Sequence, residues 1–212
     1  MRALILANGE IGDETLVRML WHEQDLVICA DGGLAHARAL ALRPHWLIGD
    51  LDSVQADWLQ ALDSTTQVVR YPTSKNETDL ELALQKAAEL GVTSALVAGT
   101  GGGRLDHALA NILLLAQQRW PFRLSFVQGA QLATVLHGPA GALLLEGQKG
   151  QLVSLLPLPE ASGVQTQGLD YPLTDESLAF GSPRGISNVM SSSRASVQLK
   201  QGTLLVIQNL TD

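Results

Sequence analysis

A single cysteine, Cys29, is present in the chain. That excludes an internal disulfide framework and a cysteine-rich zinc site. Cys29 lies in the apolar run Leu26–Ala30 and reads as a small core residue. Positive charge is also scarce: 14 Lys and Arg stand against 21 Asp and Glu, for a formal net charge of −7. With no cluster of Lys or Arg, nonspecific nucleic-acid binding is a poor expectation. An acidic chain can still bind phosphates, but metal ions and backbone N–H groups must then supply the positive field. No uncharged apolar stretch approaches the roughly 20 residues that span a bilayer. The apolar start Met1–Gly9 is too short for a signal peptide. A soluble cytoplasmic protein with no membrane or nucleic-acid partner is expected. Neither internal repeats nor a low-complexity tract occur, and Ser191–Ser193 reads as a loop.

What is present is core-forming residue. The chain has 212 residues, 46% of them hydrophobic and only 17% charged, so it is globular rather than disordered. Two rhythms divide it. Strand-like runs at Ala3–Ala7, Leu26–Ala30, Trp46–Ile48, Gln67–Tyr71, Ser94–Ala98 and Arg123–Val127 alternate with helical patterns at Asp13–His22, Leu34–Leu42, Gln55–Leu62, Thr78–Leu90 and Asp106–Gln118. Such alternation predicts a mostly parallel sheet with helices on both faces. Thr78-Asp-Leu-Glu81 is a capping box. Leu80, Ala83, Leu84, Ala87 and Leu90 form an apolar stripe at helical spacing, and Gly91 stops the helix. After about residue 130 only short strand-like runs remain, at Leu132–Leu136, Ala142–Leu145, Leu152–Leu156, Ala195–Leu199 and Leu204–Ile207, separated by Gly, Pro and Ser turns. The expected organisation is an α/β domain over residues 1–129 and an all-β sandwich or barrel-like domain over residues 130–212.

In an open parallel sheet, ligands bind beyond the carboxyl ends of the strands. Those ends carry Ala30-Asp31-Gly32-Gly33, Gly49-Asp50-Leu51-Asp52-Ser53, Pro72–Asp79 and Gly99–His107. Asp50 and Asp52 are two apart, so in an extended segment both carboxylates point to one side. That arrangement suits a hard divalent cation such as Mg²⁺, which takes oxygen ligands and shares them with phosphates; a strand ending in an acidic turn is the plain alternative. The run Gly99-Thr-Gly-Gly-Gly103 opens into a helix and offers backbone N–H groups to an anion, with Arg104 as a clamp. It is neither a dinucleotide fingerprint, because Arg104 stands where the third glycine belongs, nor a Walker A loop, because no Gly-Lys-Ser/Thr occurs. Lys75 can reach phosphate or remain a solvated loop lysine. His107 can bond a substrate or serve structure. His22, His36, His45 and His137 have no ligand spacing.

These segments, in this order, resemble the thiamine pyrophosphokinase family. The resemblance rests on Ala30–Gly33, Gly49–Ser53, Lys75-Asn-Glu-Thr78-Asp79, Gly102-Gly103-Arg104-Leu-Asp106-His107, Gly168–Leu173 and Arg184-Gly185-Ile186-Ser187-Asn188. It implies a Rossmann-like catalytic domain, a C-terminal β-sandwich, and a homodimer with sites near the subunit interface. It implies attack of the thiamine hydroxyl on the β-phosphorus of ATP, giving thiamine diphosphate and AMP. By the same resemblance, Asp50, Asp52 and Asp79 would be catalytic and hold Mg²⁺. Asp31, Gly32, Lys75, Gly101, Gly102, Arg104, Asp106 and His107 would line the nucleotide site, and Ser187 and Asn188 would contact thiamine. Asp79 is the expected general base, and Tyr171 or Phe180 could stack on the pyrimidine or thiazolium ring or belong to the core. Val189 departs from the family pattern, where an acidic residue follows the Asn, and Asn76 replaces another commonly acidic position. Two other readings stand beside this one. The same chemistry could act on a related alcohol, such as a pterin side chain or a thiamine analogue. A non-catalytic nucleotide- or thiamine-binding protein is possible too, though it would not need four aspartates at strand ends.

Overall fold

The structure, a computed structural model, describes residues 1–117 and 120–210. It divides into two compact units, one of Met1–Leu115 with Trp120–Gly129, the other built on residues from Ala130 onward.

The first unit has strands β1 (Arg2–Leu6), β2 (Leu26–Ala30), β3 (Trp46–Gly49), β4 (Gln67–Arg70), β5 (Ser94–Ala98) and β6 (Arg123–Gln128). They pair in the order β4-β3-β2-β1-β5-β6, every pair parallel, as the alternating pattern predicts. Helices α1 (Glu14–Leu20), α2 (Leu34–Ala39), α3 (Ala56–Gln60), α4 (Asp79–Glu89) and α5 (Leu105–Gln117) connect successive strands. The chain steps outward from β1 to β4, then returns to β5 on the other side of β1, so the strand order reverses between β1 and β5. The central strands are apolar along nearly their whole length: Ala3–Leu6, Val27–Ala30 and Leu47–Ile48 are all buried. The edge strand β4 ends in Arg70, leaves Val68 exposed, and carries little of the core.

Helix α4 positions the site best. Thr78 is its N-cap and its Oγ1 accepts from Glu81 N at 3.2 Å. Leu80, Ala83, Leu84 and Ala87 are buried, the expected stripe, against β1, β2 and β3. Gly91, in the left-handed region at φ 71°, ends the helix as expected.

The second unit is all β. Its strands are β7 (Gln131–His137), β8 (Leu143–Glu146), β9 (Leu152–Gln167), β10 (Glu176–Leu178), β11 (Asn188–Val189), β12 (Arg194–Gln198) and β13 (Gln201–Asn209), paired antiparallel. The organiser is β9, which pairs β13 through Val153–Ser162 and then β12 through Gln165–Gln167. Its 16 residues run far beyond the five expected from the sequence. Pro157 and Pro159 read as terminators. Here they fall where the ladder with β13 shifts register, a place where a missing N–H is tolerated. The short strands β10 and β11 have no periodic signal of their own. Val153, Leu155, Val164, Val197, Leu204 and Val206 lie at the centre of this unit's core. Among the described residues, no helix is long and apolar enough to cross a membrane.

Leu84 is fully buried on α4. Leu84→Ala is expected to lower the unfolding free energy by about 2–5 kcal/mol, read from chemical denaturation. A loss below about 1 kcal/mol would show that this helix face is not packed as described.

Candidate active site

Asp31, Asp50 and Asp79 come together at the carboxyl ends of β2 and β3. One carboxylate oxygen of each lies within 4.8 Å of the others. Three different local devices deliver them. Strand β2 runs straight into a tight turn of 3₁₀ form, Asp31–Gly33, which holds Asp31 buried with φ 45°. Asp50 directly follows β3. Asp79 is the first residue of α4, where the helix dipole favours negative charge. Gly49 makes the convergence possible. A Cβ there would stand 3.0 Å from the Asp31 Cβ and 3.1 Å from Asp79 Oδ1.

Asp52 does not join this cluster. Extended geometry would place it beside Asp50, but β3 ends at Gly49 and Leu51 turns into the left-handed region at φ 65°. The alternation of an extended chain is thereby broken. Asp52 is exposed, accepts a bond from Ser53 Oγ at 3.1 Å, and donates its backbone N–H to Asp50 Oδ1 at 3.3 Å. The place expected for Asp52 beside Asp50 is taken by Asp31 and Asp79.

Lys75 reaches into the cluster. Its Nζ lies 3.0 Å from Asp79 Oδ1 and 3.6 Å from Asp50 Oδ2, with its side chain only 11% exposed. The electrostatics separate the two carboxylates. The backbone N–H of Asp52 holds the Asp50 carboxyl below the usual carboxylate range, helped by Lys75 against the cost of burial. Burial pushes Asp79 up, opposed by Lys75 and reinforced by the charges of Asp31 and Asp50. Burial pulls the Lys75 ammonium down, but Asp79 and Asp50 outweigh it and leave it above its ordinary value. Asp31 Oδ1 is buried with no hydrogen-bond partner, whereas Asp79 Oδ1, also buried, is met by the Lys75 ammonium at 3.0 Å.

The glycine run is differently disposed from an open anion cradle. Glu10, just after β1, forms a bridge with Gly101, and a Cβ on Gly102 would stand 2.4 Å from the Glu10 Cβ. The Glu10 side chain therefore lies across this loop. Arg104, at the start of α5, is paired with Asp106 at 2.6 Å, and both are exposed. That bond draws the Asp106 carboxyl down to about 2. His107 is exposed in the first turn of α5. Gly32 lies against the Asn8 side chain. Asn8, Glu10 and Gly49 are thus part of this edge, although no pattern of charged residues marks them. The signal for the first two was their position, since Asn8-Gly9-Glu10 follows the first strand as the other polar ends follow theirs.

In the second unit, Tyr171, Arg184, Ile186, Ser187 and Asn188 line a shallow cavity of about 260 Å³. Asn188 is buried, and its amide is largely spent on the chain itself. Its Oδ1 accepts from the N–H of Tyr171 and Val189, and its Nδ2 donates to the Tyr171 carbonyl at 2.7 Å. Its visible work is to hold Tyr171 in place. Ser187 is exposed, with φ 56°. Arg184 pairs with Glu176 at 2.9 Å, leaving one rim of the cavity neutral. Tyr171 and Phe180 are 64% and 74% exposed, so neither belongs to the core.

Comparison with known proteins divides the chain at the same place. The family model for the thiamin pyrophosphokinase catalytic domain matches residues 17–124, and that for the thiamin pyrophosphokinase vitamin B1 binding domain matches residues 143–204. A thiamine pyrophosphokinase of Bacillus subtilis is 27% identical over 190 residues, covering 88% of each chain. The crystal structure of a Bacillus subtilis thiamine pyrophosphokinase superposes with a TM-score of 0.84 at 24% identity, covering all of both chains. That of a thiamin pyrophosphokinase from Geobacillus thermodenitrificans superposes with a TM-score of 0.82 at 27% identity, covering 100% of this chain and 98% of the other.

Asp31 combines a buried, unpartnered carboxylate oxygen with a left-handed backbone that asparagine tolerates well. In chelator, Asp31→Asn is expected to stabilise the protein by about 1 kcal/mol, raising Tm by roughly 2–4 °C. A lower Tm would show that the carboxylate is already compensated in the folded chain.

Proposed function

The chain belongs to the thiamin pyrophosphokinase family, and on that premise we propose that it transfers a diphosphoryl group from ATP to the hydroxyl of thiamine, with Mg²⁺, releasing AMP. That it is an enzyme that diphosphorylates thiamine follows from the family. The nucleotide, the metal and the leaving group are what the proposal adds. The observation that carries them is the convergence of Asp31, Asp50 and Asp79, with Asp31 Oδ1 buried and unpartnered.

This donor set fits Mg²⁺, since it is all oxygen and anionic and has unused acceptor capacity. Asp31, Asp50 and Asp79 would hold the ion; Asp52, facing solvent, would act through water. Bound there, the ion would neutralise charge on the triphosphate. The first unit is read as a Rossmann-like nucleotide-binding fold, because its ligand edge lies beyond the carboxyl ends of a parallel sheet whose order reverses between β1 and β5. Gly101, Gly102, Arg104, Asp106 and His107 would meet the nucleotide once Glu10 turns away. The second unit, read as a sandwich, would bind thiamine, with the exposed rings of Tyr171 and Phe180 suited to a cationic thiazolium.

In the transfer, the thiamine hydroxyl oxygen forms a bond to the β-phosphorus, the bond from that phosphorus to the oxygen bridging it to the α-phosphorus breaks, and AMP leaves with the bridging oxygen. The hydroxyl proton goes to Asp79. With the ion held on one side of this carboxyl, the proton would go to the Asp79 oxygen that does not bind it. Positioning and charge neutralisation supply the rest, which suits a protein with little nucleophilic chemistry of its own. The reading includes a cytoplasmic homodimer, as in the family pattern.

Incubation with ATP, Mg²⁺ and thiamine is expected to give AMP and thiamine diphosphate in equal amounts, while ADP with thiamine monophosphate would contradict diphosphoryl transfer. Asp50→Asn and Asp79→Asn should each lower kcat by about 10²-fold or more. Asp52→Asn should cost less than either; an equal loss would return Asp52 to direct metal contact.

A further inference from the structure

The loop Pro72–Thr78 that precedes α4 is exposed at every position except Lys75. Thr73, Ser74, Asn76 and Glu77 face solvent, while the Lys75 stem turns inward and places its ammonium against Asp79 and Asp50. A tight turn, with Lys75 N–H donating to the Thr73 carbonyl at 3.0 Å, directs it there. A lysine destined only for a phosphate would gain nothing by burying its head between two carboxylates. Here it does what a cation must do if Asp50 and Asp79 are to stay side by side without a metal.

The three carboxylates differ from Lys75 in how they are held. Asp31 sits in a buried turn, Asp50 follows a strand, and Asp79 opens a capped helix. Lys75 hangs on a flexible four-carbon stem from an exposed loop. A divalent cation held by Asp50 and Asp79 would compete with the ammonium for the same carboxylates, and the two like charges would repel. Of the partners, Lys75 is the one free to leave. Asp31 Oδ1, with no hydrogen-bond donor, is already available to the incoming ion.

We propose that Lys75 is a resident counter-cation, displaced by the divalent ion and transferred to the phosphate oxygens that arrive with it. This rests on the metal–triphosphate reading above and deepens it. Lys75 is a positioning residue in the empty site and a phosphate ligand in the loaded one. Metal and phosphate binding are thereby coupled, since the released ammonium needs an anion and the phosphates provide it. Metal alone must bind weakly, because it must first evict a well-placed lysine. Metal with triphosphate binds tightly, because the eviction is then compensated.

Titration with Mn²⁺ alone, followed by the electron-paramagnetic signal of the free ion, separates this role from a structural one. Lys75→Met and Lys75→Gln remove the resident charge and are both expected to bind Mn²⁺ about tenfold or more tightly than the native chain. Lys75→Arg keeps a cation and should stay within a few-fold of native affinity. In chelator, the two neutral variants should melt lower than the native protein and regain more Tm on addition of Mn²⁺. Unchanged or weaker Mn²⁺ binding by both neutral variants would overturn the proposal. Equal tightening in Lys75→Arg would do so as well, since geometry rather than charge would then be responsible. Product analysis fails separately: a native enzyme that makes thiamine diphosphate and AMP while the neutral variants gain no affinity leaves the reaction standing and removes the displacement.

Discussion

Three carboxylates held within 4.8 Å of one another set the terms for the rest of the first unit. Two unit charges about 4 Å apart near a protein surface repel by roughly 4 kcal/mol, so an arrangement of this kind persists only where the backbone enforces it and a cation relieves it. Both conditions are met. Enforcement comes from a left-handed Asp31, a left-handed Leu51 that turns the chain after Asp50, and a helix start that fixes Asp79. Among the described residues, five other than glycine have positive φ, and Asp31, Leu51 and Ser187 of these stand at or beside candidate site positions. Backbone strain is concentrated where function is expected. Relief comes from Lys75, whose ammonium lies against Asp79 and Asp50.

The scaffold explains why the strain is affordable. Strands β1, β2 and β3 are apolar along nearly their whole length, and α4 covers them with a continuous buried face. Such a core tolerates a few uncompensated polar groups at its rim, where water or a ligand can satisfy them. The second unit solves a different problem. A long β9 with a register shift carries two sets of partners, and from it hang the short β10 and β11 that bring Tyr171, Arg184 and Ser187 around one cavity. Asn188 spends much of its amide on that loop.

Much of this was legible in the sequence, and the misses have physical causes. The first unit was readable because buried parallel strands are apolar runs and α4 carries a capping box: Leu26–Ala30 and Ser94–Ala98 match to the residue, and Thr78 caps α4 as its spacing requires. Aspartates at the strand ends also marked the right edge of the sheet. Which of them converge was not readable. The pair Asp50 and Asp52 looked side by side because an extended chain was assumed, and a non-glycine residue at φ 65° leaves no trace in composition. The convergence of Asp31 with Asp50 depends on the parallel register of β2 and β3, and that of Asp79 on the packing of α4 against them, both long-range properties. Lys75 read as a phosphate contact or a solvated loop residue, and its place between two carboxylates was not readable because inward bending of a polar loop has no periodic signature. The second half was harder because two prolines inside β9 mimic strand ends, and strands of two or three residues carry no period at all.

The account comes down to where a divalent ion sits. The most direct measurement is an anomalous difference map from crystals of the native protein grown with Mn²⁺ and a non-hydrolysable ATP analogue. The account predicts a peak at bonding distance from the carboxylates of Asp31, Asp50 and Asp79, with the Lys75 ammonium moved onto a phosphate oxygen. A metal peak bound by Asp52 and away from Asp31, or a Lys75 still seated between Asp50 and Asp79 beside a bound ion, would contradict it.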